Sequence, residues 1–86
     1  MSNFTEDWPH PVRVQLAAVW LNSPNRNAVT KAEAAIHHAL QVDPIGRSQH
    51  LSEGLYKLHI APLTVLHSVD EIARKVEVQK VVHDPP

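Results

Sequence analysis

The sequence has no cysteine. Disulfides, thiolate chemistry and cysteine-based zinc sites are therefore excluded. The fold must be held by packing alone, which suits a reducing compartment. There are two glycines, Gly46 and Gly54, in 86 residues. With so few, each marks a place where the backbone needs positive φ or a close approach. There is no basic excess either: eight Lys and Arg stand against nine Asp and Glu, a formal charge of −1. Nucleic-acid-binding domains usually carry a surplus of cations. Any such site here must be a local patch, although seven histidines add positive charge below about pH 6.5. Long apolar runs are also missing. The longest, Leu16–Leu21, falls far short of the roughly 20 residues a membrane span needs. The opening MSNFTEDWPHPV has neither the basic nor the apolar region of a secretory signal. The expectation is a cytoplasmic protein without membrane association.

What is present reads as one domain. A chain this short buries roughly 60–70% of its unfolded surface, enough for a single core. Residues 1–11 are polar and broken by Pro9 and Pro11, which remove backbone donors and restrict their predecessors. They read as a flexible arm that Trp8 docks onto a domain over residues 12–84. Val12, Leu16, Val19 and Trp20 fall at helical spacing, with Ala17 and Ala18 adding propensity, so a helix is expected from about residue 13. Asn22, Ser23 and Pro24 stop it. A second helix over 25–41 carries Val29, Ala32, Ile36, Ala39 and Leu40 as one apolar stripe. Ser23 followed by Pro24, or Asn27, is placed to cap it. Asp43-Pro44 ends it, and residues 43–54 read as a loop.

After Gly54 the rhythm changes from helical to two. LYKLHI and LTVLHSV alternate across Ala61-Pro62. If those two residues form a hairpin loop, Ile60 faces Leu63, Leu58 faces Val65 and Tyr56 faces His67. Cross-strand partners share a face, so Tyr56, Leu58, Ile60, Leu63, Val65 and Val69 make one apolar surface for the helices to cover. In KVEVQKVVH the alternation fails at Gln79-Lys80. A bulge there would return Val81 to the inner face. Two helices followed by strands with short turns give an α+β layer. The expected architecture is two N-terminal helices packed on one face of a small antiparallel sheet of three or four strands.

The order of pieces from residue 13 to 84 resembles the RelE/ParE toxin superfamily. The matching segments are Leu40-Gln41-Val42-Asp43-Pro44, Gly46, Gly54-Leu55-Tyr56-Lys57-Leu58-His59-Ile60, Pro62 to Asp70, and Val76 to His83. No one segment is specific; their order and spacing carry the likeness. Members are often the toxin of a toxin–antitoxin pair. The resemblance therefore implies an antitoxin-like protein partner that wraps the domain. It also implies a target that is ribosome-bound mRNA in the ribonuclease members and DNA gyrase in ParE-like ones.

Cleaving RNA at a 2′-hydroxyl requires a base, cations around the phosphorane and an acid for the leaving oxygen. By the resemblance, Lys57 holds the basic position on the first strand, with His59 and Thr64 beside it. An arginine that the family tends to carry falls at Thr64, a tyrosine falls at His67, and a terminal His-Arg reads as His83-Asp84. A tyrosine that some members supply from a C-terminal helix has no counterpart here. Candidates for acid and base are Lys57, His59, His67 and His83; candidates for RNA contact are Arg47, Lys57 and Lys80. Two expected cations are missing, and each such contact is worth about 2–4 kcal/mol at a transition state.

Simpler accounts of the same residues exist. Lys57 and His59 also fit an ordinary solvated strand face. His67 fits a core-edge residue hydrogen-bonded to Tyr56. Trp20 fits the core. His37 and His38 point about 100° apart on a helix, and no H-E-x-x-H motif is present, so no metal site and no small-molecule cofactor are expected. The leading expectation is a toxin-like binding domain with reduced or no ribonuclease activity. A ribosome-dependent mRNA endonuclease and a gyrase inhibitor are the alternatives. Growth arrest with cut mRNA would mark the first of these, and a DNA-damage response without cleavage the second.

Overall fold

A computed structural model describes residues 3–85. A short strand, β1 (Thr5–Asp7), opens the chain, followed by helices α1 (His10–Asn22) and α2 (Arg26–Val42). Four strands complete it: β2 (Gln49–Ser52), β3 (Leu55–Ile60), β4 (Leu63–Asp70) and β5 (Lys75–His83). They form one sheet in the order β1-β5-β4-β3-β2. Both helices pack on one side of it. The α+β layer is the expected one. The sheet is wider, with five strands, and mixed, because β1 runs parallel to β5. No helix among the described residues is long and apolar enough to cross a membrane.

The period-two reading of the second half holds in detail. Ile60 pairs with Leu63, Leu58 with Val65 and Tyr56 with His67. Between β4 and β5, Leu66 pairs with Lys80 but His67 with Val78, so Gln79 is an extra residue. This is the expected bulge. It restores the alternation, and Val76, Val78 and Val81 are all buried. All five residues of the α2 stripe, Val29, Ala32, Ile36, Ala39 and Leu40, are buried against Leu58, Leu63 and Val65. Neither expected cap serves α2. Asn25 takes that place, its Oδ1 accepting from the Ala28 amide at 3.1 Å, while Ser23 Oγ accepts from the Asn25 amide.

Two segments depart from the sequence reading. The described part of the arm is ordered structure, not a loose tail; Met1 and Ser2 lie outside the described residues. Thr5, Glu6 and Asp7 align with Lys75, Val76 and Glu77. Phe4 and Trp8, each only 9% exposed, anchor the strand at both ends. Pro11 begins α1 near His10, where a missing N–H has no partner to lose; the Val12 and Arg13 amides donate back to Pro9 O. The second departure is β2, which lies inside the expected loop. It turns into β3 through Glu53-Gly54, with Gly54 at φ +74, a conformation open to glycine without steric penalty. The other glycine serves close approach: Gly46 donates to Asp43 Oδ1 at 2.9 Å, and a Cβ on it would overlap that carboxylate.

Glu6 ties the arm to α2. Its Oε1 accepts from Trp8 Nε1 and from His37 Nδ1, each at 2.6 Å, and its Oε2 accepts from Gln41 Nε2 at 2.6 Å. Removing a partly buried carboxylate strands three donors. Glu6→Ala is expected to lower stability by about 1–3 kcal/mol in urea melts. The loss should shrink when His37 is already alanine. A change below about 0.5 kcal/mol, the size of an ordinary surface substitution, would show that the arm is held by Phe4 and Trp8 alone.

Candidate functional site on the open sheet face

The helices leave the other side of the sheet open, and the pairing dictates which side chains stand there. One row is His59, Thr64 and Val82; the next is Lys57, Leu66 and Lys80. The Gln79 bulge decides the second row, since without it Lys80 would point to the core. Lys57 and Lys80 thus flank Leu66 on one surface. Neither has an ion-pair partner among the described residues. Two free ammonium groups about two strand spacings apart, roughly 10 Å, can each meet an anionic oxygen of an extended chain.

Beside them lies a polar cluster built on Asp84. His59 Nε2 donates to Asp84 Oδ2 at 2.7 Å, and Thr64 Oγ1 donates to Asp84 Oδ1 at 3.3 Å. The Asp84 amide donates to Pro62 O at 2.8 Å, which fixes the segment across the β3–β4 turn. Thr64 and Asp84 are the two positions where the family resemblance implied cations. Here they bond to each other, and Asp84 also binds His59. The His59 ring is held by one nitrogen and leaves Nδ1 toward solvent, with its side chain 55% exposed.

The remaining candidates are elsewhere. His83 has the inward parity of its partner Leu63. Its Nδ1 donates to Asp84 O at 2.7 Å, and its Nε2 faces Ser23 Oγ at 3.5 Å, between the sheet end and the helices. Arg47 is exposed in the turn between α2 and β2, outside the rows that hold Lys57 and Lys80. His67 is on the helix side and fully buried. Its Nε2 donates to Pro44 O at 2.9 Å. Its ring stacks on Tyr56 at 6.0 Å between centroids, and no hydrogen bond joins the two. Its Nδ1 has no partner. The structure therefore brings together Lys57, His59 and Lys80, and separates them from Arg47, His67 and His83. The residue that sequence reasoning passed over is Asp84. Its signal was there: an acid where a base was implied, next to a histidine at the strand end.

With the geometry in place, comparison with solved structures identifies the architecture as the RelE-type α+β fold. A chain of the toxin–antitoxin complex RelBE2 from Mycobacterium tuberculosis superposes with a TM-score of 0.76 at 14% identity, covering 94% of this chain and 98% of that one. The isolated E. coli RelE toxin superposes at 0.54 and 11% identity, covering 96% and 86%. At such identities the likeness is one of fold. No protein-family model and no curated sequence matches the chain.

Burial pushes the His67 pKa below its ordinary 6.5, against a smaller opposing effect of the bond to Pro44 O. Well above pH 6.5 the ring is neutral in both folded and unfolded chains. Below it, the unfolded chain takes up a proton that the folded one refuses, so stability falls as pH drops through that window. Urea melts from pH 8 to 5 are expected to show this decline, with a shallower slope in His67→Phe whatever the offset in absolute stability. Parallel slopes in the two proteins would remove His67 from the account.

Proposed function

We propose that this domain is the toxin-type member of a toxin–antitoxin-like pair: it binds an antitoxin-like partner protein and has little or no ribonuclease activity. The fold supports the first half. It is shared along nearly the full length of both chains with a component of a toxin–antitoxin complex. One observation carries the second half, the Asp84 carboxylate on the open face. A phosphodiester approaching Lys57 and Lys80 meets a negative charge where the resemblance implied an arginine. Charge stabilisation of the transition state is the largest contribution to such a reaction. Asp84 opposes it, and Thr64 supplies no cation.

The same cluster supports a second reading. A histidine hydrogen-bonded to a carboxylate is also how a general base is oriented. In an mRNA endonuclease, His59 Nδ1 would take the 2′-hydroxyl proton and Lys57 would meet the phosphate. A substitution at Asp84 separates the two readings. If Asp84 repels the substrate, Asp84→Arg raises affinity for single-stranded RNA and steepens its salt dependence by about one phosphate contact. If Asp84 orients a base, the same change abolishes cleavage by a protein that cleaves before it.

In cells, induced expression is expected to leave growth and mRNA intact, and the product of an adjacent reading frame should co-purify. Growth arrest with cut mRNA, relieved by Lys57→Ala, would replace this reading with the nuclease one.

A further inference from the structure

α1 is a helix without a polar side. Between His10 and Asn22 its one charged residue at neutral pH is Arg13, and it carries Val12, Val14, Leu16, Val19, Trp20 and Leu21. Helices apolar all round are normally buried on every side. Here only Val12 is fully buried. Val14 is 53% and Leu21 60% exposed, and Trp20 38%. Leu16 and Val19 pack partly against the core, so Val14, Trp20 and Leu21 carry the apolar surface that faces outward.

That surface is shaped. Between α1, α2 and the end of β1 lies an open groove of about 780 Å³. Trp8, Leu16, Trp20 and Leu21 line its apolar walls, and Glu6, Asp7 and Glu33 stand on its rim beside Arg13 and His37. Three carboxylates against one arginine make the lining negative whether or not His37 is protonated. The two guanidinium groups nearby make contacts within the chain. Arg13 Nε donates to Trp8 O at 2.6 Å. Arg26 lies over the Trp20 ring at 4.9 Å and donates to Trp20 O and Leu21 O at the end of α1.

Two classes of protein surface could cover it, a second copy or a different chain. In a two-fold dimer the same patch meets itself, which would set one lining of net negative charge against another. Like charges across an interface are strongly disfavoured. We infer that the α1–α2 groove docks a basic, amphipathic segment of a partner protein, whose apolar side chains fill the space between the tryptophans and whose Lys or Arg residues meet the acidic rim at Glu33. The inference rests on the proposed pairing with a partner protein and adds its site and its charge. The site is remote from Lys57 and Lys80, so the docked segment itself leaves the open face uncovered.

The chain's two tryptophans, Trp8 and Trp20, both line the groove, so their emission reports its occupancy. The probe is a synthetic helical peptide of the length of α1, with leucines on one face and lysines on its flanks. It is expected to shift the tryptophan emission saturably, and to perturb the amide resonances of Leu16, Ala17 and Thr30. Ala17→Glu should block the groove and Glu33→Lys invert its rim. Each is expected to weaken binding about tenfold or more, while Lys57→Ala and Lys80→Ala leave it unchanged. Equal binding by a peptide with glutamates for lysines would overturn the inference. So would perturbations confined to the open face, or a dimer of the free chain that Ala17→Glu dissolves. An adjacent-frame partner that co-purifies equally well with Ala17→Glu would overturn the groove but not the proposed function. Saturable peptide binding at the groove, with no such partner in cells, would support the groove and count against the proposed function.

Discussion

The register of β3, β4 and β5 is the constraint on which the molecule depends. Ile60 opposite Leu63 sets one end, and the extra residue Gln79 resets the phase halfway along β5. Between them these features divide the sheet into a dry face and a wet one. A one-residue slip in a strand exchanges its faces. In β3 that would bury Lys57 and His59 and expose Leu58. Burying an unpaired ammonium costs several kcal/mol, and exposing a Leu forfeits about 1.5–3 kcal/mol. The helices therefore have one side of the sheet on which to pack. The lysines have one side on which to stand.

This division explains which parts were legible in the sequence. The α2 stripe, the β3–β4 register and the Gln79 bulge are periodic signals, and each was read correctly because burial enforces the period. β1 was missed for the opposite reason. Thr-Glu-Asp has poor strand propensity, and three residues carry no period. The strand exists because Phe4 and Trp8 bury on either side of it and Glu6 finds three donors on distant residues. β2 was hidden likewise: Gln49 to Ser52 is exposed throughout and depends on the turn at Gly54. Long-range partners specify these two strands, and neither composition nor spacing reports a long-range partner.

The candidate site was legible in the same proportion. The outward placement of Lys57 and His59 followed from strand parity, and that of Lys80 from the bulge at Gln79. Placing His67 on the apolar side did too, though its partner proved to be Pro44 O and not Tyr56. His83 and Arg47 could not be placed, because a strand terminus and a turn have no parity to extrapolate. Asp84 lies beyond the strand as well. Its position depends on a backbone bond to Pro62 that closes the β3–β4 turn against the end of β5, a contact across 22 residues of chain.

The electrostatics of the two surfaces follow from a net charge near zero. A chain with eight cations and nine anions cannot be basic over its whole exterior; it can only segregate. Lys57 and Lys80 are on the open sheet face, and Glu6 and Glu33 lie on the helix side near Trp20. An anionic ligand drawn to the sheet face and a cationic segment drawn to the α1–α2 groove would not compete for the same atoms. One route of coupling between them passes through β5, which carries Lys80 outward, pairs with β1 and packs against α1. Val81 makes one such contact: its amide donates to Gln15 Oε1 at 3.1 Å, directly joining the strand that holds Lys80 to the helix that forms the groove wall.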